Sequence, residues 1–102
     1  MTDSEKAVLY SNLRTIHGDK TQQELLLEEM SELQQAITKS WRDIRKYGCI
    51  RQSTFDNLTE EIADVEIMLE QLVRMLGCVD LVETAKEQKL HRTRERLNQD
   101  RV

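Results

Sequence analysis

Glu28-Glu29-Met30-Ser31-Glu32-Leu33 recurs further along the chain as Glu60-Glu61-Ile62-Ala63-Asp64-Val65. In both copies the order is acid, acid, apolar, small, acid, apolar. If both are helical, Glu29 and Glu32 share one face, as do Glu61 and Asp64, because residues three apart lie one above the other on a 3.6-residue turn. Each acid is followed at once by an apolar residue, which places the carboxylates about 100° round from a buried stripe, at the rim of a core. Two such helices packed antiparallel aim four carboxylates at one spot.

Clustered carboxylates repel one another and take up protons unless a positive charge sits among them. A hard divalent cation suits an all-oxygen set, and the absence of cysteine or histidine from it selects Mg²⁺, with Mn²⁺ as substitute, over Zn²⁺. Glu29, Glu32, Glu61 and Asp64 are therefore the candidate metal-binding and catalytic residues. Taken singly, each pair is also an ordinary solvated helix face, and Asp80 with Glu83 makes a third such pair. Weight comes from the repetition, with the same placement twice.

Outward from these strings the chain reads as four helices punctuated by Gly18, Gly48 and Gly77, each standing where a left-handed residue commonly ends a helix. The first runs from about Ser4 to His17 with Leu9, Leu13 and Ile16 as its apolar line. The second starts near Thr21, which forms a capping-box signature with Glu24, and continues to about Lys46 with Leu26, Met30, Leu33, Ile37, Trp41 and Ile44 as its inner stripe. After a connection capped by Ser53 or Thr54, the third covers about Phe55 to Leu76, with Leu58, Ile62, Val65, Leu69, Leu72 and Leu76 alternating steps of four and three. The fourth, about Asp80 to Gln99, has a thin apolar line of Val82, Leu90, Thr93 and Leu97 with Lys86 in it. Lys89, Arg92 and Arg96 each precede a member of that line and form a basic row. They suit either the phosphates of a ligand or the negative end of the helix dipole.

The bulk properties agree with a single all-α domain over residues 1–102, built on two long antiparallel central helices and completed by oligomerisation. One Phe, one Trp and no Pro among 102 residues argue against a sheet protein. A core this small favours self-association. The net charge of −4 offers no basic surface for nucleic acid. No apolar run approaches the length of a membrane span, and Met1 to Lys6 is polar where a signal peptide turns hydrophobic, so the expected setting is the cytoplasm. Cys49 and Cys78 form neither a zinc pattern nor a redox pair and are read as free thiols. Trp41 on the apolar stripe is read as core or subunit contact, His17 as a helix-end residue, and His91 has no evident partner. No Ser or Cys nucleophile with a base and no Gly-rich phosphate loop is present. A di-iron bundle would need a Glu followed three residues later by His, which neither histidine provides.

Glu29-x-x-Glu32 and Glu61-x-x-Asp64, with the strings around them, resemble the paired acidic motifs of the MazG-like all-α nucleoside triphosphate pyrophosphohydrolases. The segment Lys89-Leu90-His91-Arg92-Thr93-Arg94-Glu95-Arg96 is similar to the basic element that such proteins carry after their acidic helices. The resemblance spans about Thr21 to Leu97. It implies a MazG-like four-helix fold and Mg²⁺-dependent cleavage of a nucleoside or deoxynucleoside triphosphate between the α and β phosphates, giving monophosphate and pyrophosphate. It also implies a homodimer or homotetramer, with Lys89, Arg92 and Arg96 on the substrate. The competing reading is a non-enzymatic helical oligomer acting as adaptor, regulator or nucleotide sensor.

Overall fold

A computed structural model describes residues 1–101, and among them there are four α-helices and no strand. These are α1 (Asp3–His17), α2 (Asp19–Tyr47), α3 (Gln52–Leu76) and α4 (Val79–Asp100). The all-α expectation holds. Two compact units divide the chain: Met1–Leu72 carries α1, α2 and most of α3, and the segment from Val73 onward carries the end of α3 and α4. No helix among the described residues is long and apolar enough to cross a membrane. Cys49 and Cys78 are free.

The helix starts differ from expectation for local reasons. The capping box belongs to Thr2, not Thr21: the Thr2 hydroxyl accepts from the Glu5 amide at 3.1 Å while the Glu5 carboxylate accepts from the Thr2 amide at 3.3 Å. Thr2→Ala is expected to destabilise the first turn of α1 by about 1 kcal/mol. Faster hydrogen exchange confined to the amides of that turn is the check. Thr21 lies inside α2 because Gly18 alone separates α1 from α2, its carbonyl accepting from the Gln22 amide at 3.2 Å. Gly18 stands at φ 84°, ψ 155°, a conformation nearly closed to any residue with a Cβ. Ser53 and Thr54 are likewise inside the first turn of α3, whose first carbonyl is that of Arg51, accepting from Phe55 at 2.9 Å. At the other end of α3, Cys78 donates to the Val73 carbonyl and Gly77 to that of Arg74, both at 3.1 Å. With Gly77 at φ 64°, this is a Schellman stop.

The buried seams also differ, and in one consistent direction. On α2 the inward positions are Gln22, Leu26, Glu29, Leu33, Ala36, Ser40 and Asp43. On α3, within the first unit, a seam of Thr54, Leu58, Glu61, Val65, Met68 and Leu72 faces inward, with the buried Gln71 and half-buried Glu70 beside it. Both follow four-three alternation, the period of a helix-packing seam. On α1 the inward residues are Lys6, Tyr10 and Leu13, whereas Leu9 and Ile16 are exposed. On α2, Met30, Ile37, Trp41 and Ile44 of the expected stripe are exposed, and so are Ile62 and Leu69 on α3. Ala36 and Ser40 are small enough for a close-packed seam and are buried, while the bulky Ile37 and Trp41 stand one step round and are exposed.

Three contacts tie the first unit together. α1 packs on α2, and the buried Tyr10 hydroxyl donates to the Glu70 carboxylate of α3 at 3.3 Å. Where α2 turns into α3, the buried Asp43 carboxylate accepts from the Arg51 backbone amide at 3.1 Å and from its guanidinium Nε and Nη2 at 3.3 and 3.1 Å. The wholly buried Thr54 hydroxyl beside it, together with Arg51, holds the Asp43 carboxyl down at about 2. Arg51 also lies over the Tyr47 ring, 4.7 Å from its centroid.

In the second unit α4 has no buried residue. His91 has partners after all, since its Nε2 lies 3.4 Å from Glu87 and its Nδ1 2.9 Å from the Arg94 guanidinium.

Candidate metal centre

Glu29 occupies the α2 seam directly, between Leu26 and Leu33, and Glu61 occupies the α3 seam between Leu58 and Val65. Both are half-buried, so the expected rim placement is corrected for these two: they stand in the packing layer itself. Glu32 and Asp64, one turn on, are exposed and sit at the rim as expected. A carboxylate in a seam is unfavourable by itself, because burial removes water that would solvate its charge. Both helices place one at corresponding seam positions, which puts two acids in the same packing layer.

The structure brings three of the four candidate acids to one point. One carboxylate oxygen each from Glu29, Glu32 and Glu61 lie within 4.8 Å of one another. Asp64 stands outside that group, but its charge is near enough to act on both Glu29 and Glu61. The Oε2 atoms of Glu29 and Glu61 are buried and have no hydrogen-bond partner. Buried polar atoms are almost always satisfied, so two orphaned carboxylate oxygens on residues that converge with a third carboxylate leave bonding capacity that a cation would satisfy. The donor set, all carboxylate oxygen, fits Mg²⁺ or Mn²⁺.

The electrostatics point the same way. Burial, followed by the charges of Asp64, Glu32 and Glu61, pushes the Glu29 carboxyl up to about 7 from an ordinary 4.5. Burial and the neighbouring Glu32 and Asp64 raise Glu61 as well. A carboxyl raised above its unfolded value supports folding below that unfolded value, and the support is lost as pH rises through the folded value. Metal-free protein is therefore expected to lose thermal stability between about pH 4.5 and 7, where Glu29 ionises among its neighbours. Glu29→Gln is expected to remove this dependence, and a cation held by the ionised carboxylates would oppose it. Thermal melts across pH with chelator, with Mg²⁺ and with the variant measure all three effects. A pH-independent melting point in chelator would remove the proposed proton competition.

Lys89, Arg92 and Arg96 lie on α4 and are exposed. They belong to the second unit, the carboxylates to the first. Sequence reasoning missed the Asp43–Arg51–Thr54 cluster that anchors the turn between the two acidic helices. Its signal was Asp43 standing fourteen residues after Glu29, two heptads along one seam, with Ala36 between them.

Compared with models of known protein families, with functionally described proteins and with solved structures, the chain gives no match in any of the three.

Proposed function

We propose that this chain is a Mg²⁺-dependent nucleoside triphosphate pyrophosphohydrolase of MazG-like type, cleaving between the α and β phosphates to release a nucleoside monophosphate and pyrophosphate. The observation that carries the reading is the convergence of Glu29, Glu32 and Glu61, with two buried oxygens lacking any partner. An antiparallel pairing of α2 and α3 belongs to it. Two sets of contacts support that pairing: Asp43 meets Arg51 near one end, and Glu29 and Glu32 meet Glu61 further on. Moving from the first set to the second goes backward along α2 and forward along α3.

Glu29, Glu32 and Glu61 would hold the metal, with Asp64 completing the negative field. When bound, Mg²⁺ supplies neutralisation of the triphosphate and a water of lowered pKa. The seam carboxylates, fixed by their helices and partly shielded from solvent, need no rearrangement to present their charge, which is what makes a site preorganised. A proton from the attacking water needs an acceptor, and a carboxylate outside the metal-holding set is suited to that task. Glu28 and Glu60, each beside a seam acid and exposed, are such carboxylates. Lys89, Arg92 and Arg96 are assigned to charge on the phosphate oxygens.

The test is pyrophosphate release from a panel of canonical and modified nucleoside triphosphates, with and without Mg²⁺. Metal-dependent release is the expected result. Absence of release from every triphosphate by folded protein would overturn the reading. An adaptor or regulator without a metal site would be indifferent to Mg²⁺, whereas a native-state ligand at a hundredfold excess over its dissociation constant stabilises by about 2.7 kcal/mol.

A further inference from the structure

Lys6 is the one basic residue of the first unit that is not exposed. It shares the inward face of α1 with the buried Tyr10 one turn later, and among the described residues its ammonium forms no ion pair. The other cations of the unit face solvent, and three of them are already paired: Arg14 with Asp19 at 2.8 Å, Arg51 with Asp43 at 3.1 Å and Lys20 with Glu24 at 4.0 Å. A lysine with a covered stem and a head lacking a partner is ordinarily explained by the head reaching water. What sets Lys6 apart is the level at which it stands.

Two contacts fix that level. α1 and α2 are joined through Gly18 alone and pack on each other, and the Arg14–Asp19 pair clamps the turn. Residues equally far from Gly18 on the two helices therefore face each other, and Tyr10 and Leu26, eight residues to either side, are both buried. Lys6 and Met30 are twelve residues to either side, which puts Lys6 beside the turn of α2 that carries Glu29 and Glu32. The second contact is with α3, where the Tyr10 hydroxyl donates to Glu70 at 3.3 Å. With α2 antiparallel to both neighbours, α1 and α3 run in the same direction, so one turn before Tyr10 corresponds to one turn before Glu70, at Glu66. Asp64 is then about 3 Å further along the axis. Both registers bring Lys6 to the level of the acidic layer.

We propose that Lys6 binds phosphate in this site, its ammonium contacting oxygens of a polyphosphate chain whose remaining oxygens face the metal-holding carboxylates Glu29, Glu32 and Glu61. The proposal rests on the triphosphate reading given above and adds a residue to it. Such a ligand carries more negative charge than one divalent ion removes, and the acids around it add to the excess. Lys89, Arg92 and Arg96 belong to the second unit. Within the first, Lys6 is the cation placed to meet that excess. An ammonium is a compact point charge with three donors on a flexible stem, which suits phosphate oxygens that shift as the ligand seats. Since Lys6 pairs with none of the carboxylates at its level, binding phosphate breaks no existing ion pair.

Inorganic triphosphate with Mg²⁺ is the probe, so that binding is read without turnover. Calorimetric titration of the full chain is expected to show binding that Lys6→Met weakens about tenfold or more, the scale for losing one charged hydrogen bond, and that Lys6→Arg largely restores. Methionine keeps the covered stem, so the melting temperature and its rise with Mg²⁺ alone should stay those of wild type. In wild type, acylation of Lys6 by an amine reagent should slow several-fold when Mg²⁺ and triphosphate are added, with Lys20, at the turn, unchanged. Should Lys6→Met unfold, this labelling decides by itself. Wild type that binds triphosphate while folded Lys6→Met binds it equally well would overturn the proposal and spare the reading beneath it. Protection of Lys39 in place of Lys6 would do the same. Wild type that binds no triphosphate in Mg²⁺ would sink both.

Discussion

Replacing Glu32 by Gln, or Asp64 by Asn, is expected to abolish the proposed Mg²⁺-dependent pyrophosphate release while leaving the helices formed. Both residues are exposed on well-formed helices, so neither amide disturbs packing. The loss should be catalytic and large. A metal ion that neutralises a triphosphate and activates water contributes several kcal/mol to the transition state, and each 1.36 kcal/mol is tenfold in rate, so about a thousandfold reduction is the appropriate scale. The two variants should differ from Glu29→Gln in one respect. Glu29 is the acid most strained by burial and by its neighbours, so its amide should melt higher than wild type in chelator at mildly alkaline pH while also failing to turn over. Turnover within a few fold of wild type in both Glu32→Gln and Asp64→Asn would remove the site from these residues.

Asp43→Ala is expected to give the largest loss of stability of any single substitution at the turn between α2 and α3. It removes the acceptor for the Arg51 amide at the start of α3 and both guanidinium contacts, and leaves the Thr54 hydroxyl buried beside a space. A melting point lowered on the order of 10 °C is the scale for losing a buried hydrogen-bonded cluster in a domain of this size. Arg51→Lys keeps the charge but not the two-point fork, so a smaller fall is expected. The pH dependence has the opposite sign from that of Glu29. A carboxyl depressed in the folded state contributes above its unfolded value and ceases to contribute as pH falls through about 2, so Asp43→Ala should narrow the gap to wild type only in strong acid. A melting point within a degree or two of wild type at neutral pH would show that the turn does not depend on this cluster.

Local features were legible where short-range chemistry decides them. The glycine stops at Gly48 and Gly77 and the four helices follow from residues within a turn of each other. The capping signature was legible too, but it occurs at both Thr2 and Thr21, and only the backbone preceding each one selects between them. At Thr21 the chain had already entered the helix from Gly18.

The helix faces show where such reading stops. On α2 the expected apolar stripe lies about 60° round from the buried seam. Hydrophobic periodicity reports the sum of all apolar contacts a helix makes, and it cannot divide them between one neighbour and another. Here the buried seam holds Gln22, Glu29, Ser40, Asp43, Thr54 and Glu61. The greasier residues, Trp41 and Phe55 among them, stay outside it.

From the sequence by itself came the all-helical class and the helix number, because each depends on residue type and spacing along one helix. Tertiary structure decided which acids are buried, that three of them meet, and that Asp43 rather than a hydroxyl anchors the start of α3. Those outcomes depend on the rotation of one helix against another. That angle is set by side-chain volumes on two separate stretches of chain, and no single stretch encodes it.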